Sequence, residues 1–180
     1  MSKITAQTPL LEIAVIVSEA LEKNGIHAVL GGGGAVTQYS ENEYMSTDLD
    51  FITLERNKVI APVVAQLGFV ARGKDFYHHE SRFFLEFPPG PLSFGDRYIE
   101  PSATITLSTA FGSLRIITPT QCVMDRLAWF VHGNDPQARV QAMMVAKRQT
   151  INWHEIETWA DAEGIERELI DRLREDANLI

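Results

Sequence analysis

The chain has 180 residues and a mass of 20.2 kDa, with 45% hydrophobic and 22% charged residues. That balance excludes wholesale disorder, and a chain of this length buries about 70% of the surface its unfolded form exposes, so it needs no disulfide or zinc staple. Sixteen basic against 24 acidic residues give a net charge of −8, which disfavours binding nucleic acid through a general basic surface, and the single cysteine, Cys122, excludes a disulfide framework.

No apolar run is long enough to span a bilayer, so no membrane partner is expected. The opening residues MSKITAQTP carry one lysine and no apolar run of signal type, which predicts a cytoplasmic protein. Charge is uneven along the chain: residues 1–150 hold 15 acids and 13 bases, and residues 151–180 hold 9 acids and 3 bases. The acidic tail reads as solvated helix faces, with docking to a basic protein partner as the alternative.

In chain order, Leu10, Ile13, Ala14, Val17 and Leu21 share one helical face, with Thr8-Pro9 as a start and Asn24-Gly25 as a stop. Ile26 to Leu30 is a short apolar strand running into Gly31, Gly32, Gly33 and Gly34, and a short helix is predicted over 35–40. A second strand covers 49–54. A second long helix covers 57–67, with Val59, Ile60, Val63, Val64 and Leu67 inward and Gly68 at its end. Further strands are expected at 69–71, 76–79, 82–87, 103–108 and 113–117, and Pro88-Pro89-Gly90-Pro91 marks a loop. From Thr118 only helices follow. Thr118-Pro119-Thr120-Gln121 is a capping box, and Asp135-Pro136, Asn152 and Ile165 open three more helices. The expected organisation is an α/β core over 1–117 and a helical subdomain over 118–180.

Chemistry concentrates between Val29 and Ile52. Asp48 and Asp50 are two residues apart at the head of a strand, so both carboxylates point to one face while Leu49 and Phe51 point to the other. Carboxylates about 7 Å apart along the chain can share one or two Mg²⁺ ions, with phosphate oxygens completing the coordination. The glycine turn lets backbone approach a triphosphate closely, and the amides of the following helix point at it. These residues describe a site for a magnesium-bound nucleotide. Thr47 either hydrogen-bonds near that site or caps the turn.

Other residues read more plainly. His78 and His79 are adjacent on a strand and cannot chelate together, Cys122 falls on an apolar helix, and Trp129, Trp153 and Trp159 take core-compatible helical positions. Arg115, Arg126, Arg139, Lys147 and Arg148 are the cations that could meet a triphosphate, each more simply read as a surface or ion-pair residue.

An apolar strand ending in Gly-Gly, a short helix, then Thr-Asp-Leu-Asp-Phe resembles the polymerase-β-like nucleotidyltransferase superfamily, most of all its small bacterial members, which include toxin–antitoxin and phage-defence relatives. The resemblance implies a mixed sheet flanked by helices and followed by a helical bundle. It implies that Gly32 and Gly33 hold the triphosphate, that Asp48 and Asp50 bind the metals, and that Glu86 on a later strand is the third acid. The implied activity is Mg²⁺-dependent transfer of an NMP group from an NTP to an acceptor hydroxyl of unknown identity. Two departures stand out: no serine follows the first glycine, and Tyr44 occupies a position that is arginine in many small relatives. They motivate the alternative, a catalytically weak or inactive component of a toxin–antitoxin or defence system that acts by binding a partner.

Overall fold

The computed structural model describes residues 4–179, so the first three residues of the opening stretch MSKITAQTP lie outside it. No helix among the described residues is long and apolar enough to cross a membrane. The chain opens with α1 (Leu10–Lys23), β1 (Ala28–Leu30), α2 (Gly32–Tyr39), β2 (Asp48–Thr53) and α3 (Asn57–Ala65). Then follow β3 (Phe69–Arg72), β4 (Asp75–His78), β5 (Phe84–Glu86) and a small hairpin of β6 (Ser93–Phe94) and β7 (Arg97–Tyr98). A 3₁₀ turn at Pro101–Ala103 leads to β8 (Ile105–Thr109) and β9 (Gly112–Ile116), and the chain ends in α4 (Pro119–His132), α5 (Pro136–Arg148), α6 (Trp153–Ala162) and α7 (Arg167–Asn178).

Seven strands form one mixed sheet in the order β3-β4-β5-β2-β1-β9-β8. The parallel pairs are β2 with β5 and β1 with β9; the other neighbours are antiparallel. Central β2 shows the alternation that its sequence demands. Leu49, Phe51 and Thr53 are buried on one face, and Asp48, Asp50 and Ile52 are half-buried on the other. Helix α2 packs tightly on the Leu30 and Leu49 side, where a Cβ at Gly34 would stand 3.0–3.1 Å from both side chains. Helix α1 lies along β1 and β9, and its Ser18 Oγ and Glu19 Oε1 accept from the backbone N–H groups of Arg115 and Ser113 at 3.2 and 2.9 Å.

The helices after Thr118 begin where their caps predict. The Thr118–Gln121 capping box is fully formed, Asp135 Oδ1 accepts from Gln137 N at 2.9 Å, and Asn152 Oδ1 accepts from Glu155 N at 3.2 Å. Cys122 is fully buried, as expected. These helices close on α2: Gln149 Nε2 donates to Tyr39 O at 3.0 Å, and the buried Tyr39 hydroxyl donates to Ile117 O at 2.6 Å. The β6–β7 hairpin is pinned to α6, since the buried Trp159 Nε1 donates to Phe94 O at 3.0 Å and Glu163 Oε1 accepts from Asp96 N at 2.9 Å.

The structure corrects several sequence expectations. Helix α2 starts at Gly32 rather than at residue 35, because the poor helix propensity of three glycines is overridden by packing against Leu30, Leu49 and Ser46. Val59, expected inward, is 40% exposed, since the helix buries only the Ile60–Val63–Val64 side. Ala103, expected in a strand, closes the 3₁₀ turn opened by Pro101. The β6–β7 hairpin had no apolar run long enough to reveal it.

Tyr39→Phe keeps the ring and removes the donor to Ile117. A loss of about 1–3 kcal/mol in urea denaturation, with an unchanged slope, is the expected result for a buried hydrogen bond of this kind.

Candidate active site

Parity on β2 and its parallel register with β5 build the acidic centre. Asp50 pairs in register with Glu86, and Asp48 stands two residues back on the same face. One carboxylate oxygen from each of Asp48, Asp50 and Glu86 lies within 4.8 Å of the others, which is close enough for shared coordination of a cation. Glu86, expected from the resemblance, is thus beside the pair. Ser46 Oγ donates to Asp48 Oδ1 at 2.6 Å, and Lys74 Nζ donates to Glu86 Oε2 at 3.2 Å.

Asp50 is the electrostatically frustrated member. Burial, followed by the charges of Asp48 and Glu86, raises its carboxyl from an ordinary 3.8 to about 7, only partly offset by Arg126. Three acids crowded in this way favour a proton or a cation among them, so the donor set fits a hard divalent metal such as Mg²⁺.

The glycine run abuts this centre. Gly31 N donates to Asp50 O at 2.9 Å, and Gly31 caps α2. Gly32 has φ +53° and would carry a Cβ 2.0 Å from Asp50 Oδ2, so both its backbone conformation and its space require glycine. A Cβ at Gly33 would stand 2.5 Å from Ser46 Oγ. The first-turn amides of α2 have no carbonyl four residues back, which makes this end an anion receptor directly beside the acids.

These residues share a crevice of about 540 Å³ whose far wall is α4. That wall contributes Asp125, Arg126 and Trp129, with Asp135, Gln137 and Gln141 behind. Arg126 is only 9% exposed; its Nε and Nη2 donate to Asp125 Oδ2 at 3.1 and 2.6 Å, and Nη1 donates to Gln141 Oε1 at 3.3 Å. Of the five cations named from the sequence, Arg126 lines the crevice, while Arg115, Arg139 and Arg148 pair with Glu22, Asp176 and Glu43 elsewhere. On the same sheet face, beyond Ile52, a second and mostly apolar pocket of about 400 Å³ lies beneath Pro91, Leu92, Tyr98 and Ile99.

Thr47 is exposed, its carbonyl accepts from Phe84 N at 3.2 Å, and it does not line the crevice. Ser46, one residue earlier, lines it instead, on the parity shared by Asp48 and Asp50; the spacing Ser46-x-Asp48-x-Asp50 was the available signal. Trp129, expected to pack in the core, is 54% exposed on the crevice wall, whereas Trp159 is buried. His78 and His79 stack at 5.0 Å between centroids and converge on no ligand site.

No protein-family model matches the sequence, and no curated protein matches it. Solved structures do. The antibiotic-resistance factor ANT(2'')-Ia, whose solution structure reveals substrate-regulated conformation dynamics, superposes with a TM-score of 0.50 at 15% identity, covering 95% of this chain and 91% of the other. A crystal structure of ANT(2")-Ia in complex with adenylyl-2"-tobramycin gives a TM-score of 0.48 at 14% identity, covering 93% and 95% of the two chains. The fold is therefore the nucleotidyltransferase fold.

An acid held above its unfolded value binds its proton more tightly when folded. Its contribution favours folding at low pH and is lost as pH rises from about 4 to 7. Asp50→Asn is accordingly expected to raise the thermal midpoint of the metal-free protein by several degrees at pH 8 and by less at pH 5. Mg²⁺ at pH 8 raises the midpoint of the unaltered chain more than that of the variant. Differential scanning fluorimetry checks both.

Proposed function

We propose that this protein is a Mg²⁺-dependent nucleotidyltransferase that moves an NMP group from a nucleoside triphosphate to an acceptor hydroxyl. The observation that carries the reading is the convergence of Asp48, Asp50 and Glu86 within 4.8 Å, next to the open amides of α2, in one crevice. The nucleotidyltransferase fold supports it. A cytoplasmic setting, where Mg²⁺ and NTPs abound, suits it.

In this reading the amides of Gly32 and Gly33 bind the β- and γ-phosphates, and the absence of side chains there lets the phosphates reach the acidic centre. Asp48, Asp50 and Glu86 would hold Mg²⁺, which when bound offsets charge on the attacking and leaving oxygens. Ser46 holds Asp48 in place through its hydroxyl, and Lys74 restrains Glu86. The acceptor hydroxyl gives up its proton to solvent as its oxygen bonds to the α-phosphorus, the bond from that phosphorus to the bridging oxygen of the β-phosphate breaks, and pyrophosphate departs. Glu86, at the edge of the triad, orients the acceptor hydroxyl. The apolar pocket beyond Ile52 offers the rest of the acceptor a place to bind.

Purified protein with Mg²⁺, each of the four NTPs and a panel of hydroxyl acceptors should release pyrophosphate with at least one pair. Asp48→Asn and Asp50→Asn should each lower that rate about 100-fold or more while keeping the circular dichroism spectrum. EDTA should abolish turnover and added Mg²⁺ restore it. Full turnover by Asp50→Asn would exclude the mechanism. Tight Mg²⁺–NTP binding without release across the panel would point instead to a pocket that only senses nucleotide, and a stable co-purifying protein without turnover to the partner-binding component of a toxin–antitoxin or defence system.

A further inference from the structure

Trp129 is the exception among the indoles whose positions suggested packing. It is 54% exposed, and it borders both the crevice and a neighbouring depression lined by His132, Gly133 and Glu163. On α4 it follows Arg126 by three residues, so the two share a helix face about 4.5 Å apart along the axis. The six-membered ring rests against the end of the helix: a Cβ at Gly133 would come within 2.6 Å of Trp129 Cε3 and 3.3 Å of Cζ3. Glycine at this C-cap therefore provides the seat on which the ring is held, while much of the indole stays open to solvent.

The other aromatic residues of the crevice are already committed. Phe94 is buried at 1% exposure, and Tyr44 carries its hydroxyl beside Gly33, at the phosphate end. With a triphosphate fixed between the α2 amides and the acids, the nucleoside leads away from that end of the crevice. On the α4 wall the crevice offers it the guanidinium of Arg126 and, three residues further along the helix, the indole of Trp129.

We propose that Trp129 is the stacking platform for the base of the nucleoside triphosphate. The inference rests on the nucleotidyl-transfer reading and adds the place of the base to it. Stacking on a π-face tolerates every base, so the platform gives affinity with little discrimination, and purines, with the larger ring, gain more than pyrimidines.

Calorimetry with Mg²⁺–ATP and with Mg²⁺–tripolyphosphate, which lacks a base, tests this directly. The unaltered protein should bind ATP at least about ten-fold more tightly than tripolyphosphate. Trp129→Leu should erase that difference and leave tripolyphosphate affinity and the thermal midpoint in place, because so much of the indole is exposed. Trp129→Phe should retain most of the preference. In turnover, Trp129→Leu should raise KM for the nucleotide and not for the acceptor. Equal affinity of the unaltered protein for both ligands, unchanged ATP binding by Trp129→Leu, or a KM effect confined to the acceptor would each overturn the platform while nucleotidyl transfer stands. Failure of the unaltered protein to bind either ligand would overturn the transfer reading and the platform with it.

Discussion

Mutual repulsion among three carboxylates is the constraint around which this molecule is arranged. Asp48 and Asp50 come to one face because a strand alternates, and Glu86 joins them because β5 runs parallel to β2 in a register that sets it opposite Asp50. Like charges in direct cross-strand register weaken a sheet. The structure tolerates them by burying Leu49 and Phe51 on the reverse face and by bonding Asp48 to Ser46 and Glu86 to Lys74. Asp50 is held above the ordinary carboxyl range first by its burial and then by the charges of Asp48 and Glu86.

The four glycines beside this centre each have their own packing reason. Gly31 returns the chain to β2 through Asp50 O, Gly32 lies against the Asp50 carboxylate, Gly33 against Ser46, and Gly34 between Leu30 and Leu49. A helix made of such weak formers persists because its far end is held by Tyr39, whose hydroxyl and carbonyl join it to Ile117 and Gln149. The anion-receptive end of α2 is thereby fixed beside the cation-receptive acids. A nucleotide carrying a divalent ion matches both, and neither half alone would select it.

The helices after Thr118 contribute the opposite wall. Arg126 is the cation that this wall brings to the crevice, yet its guanidinium is already engaged by Asp125 and Gln141. The field of the crevice thus remains acidic, and phosphate enters it favourably only in company with cations. The β6–β7 hairpin, anchored through Trp159 and Glu163, borders the crevice with Ser93 and Phe94 and the apolar pocket with Tyr98, and Pro91 and Leu92 line both.

Local pattern determined a good deal. Periodicity placed α1, α3 and the sheet strands to within a few residues, and side-chain caps placed the starts of α4, α5 and α6, because these signals act between neighbours in the chain. The same locality made Asp48 and Asp50 readable as one face. Tertiary packing alone decided that α2 begins within the glycine run, that Ser46 rather than Thr47 borders the crevice, and that Trp129 opens toward it instead of filling the core. It alone also brought Glu86 and Arg126 to the acids, from strands and helices some 36 and 76 residues beyond Asp50. Hydrogen bonds and helical period reach a few residues along a chain, whereas a site is made by contacts across it, and those depend on how whole elements pack.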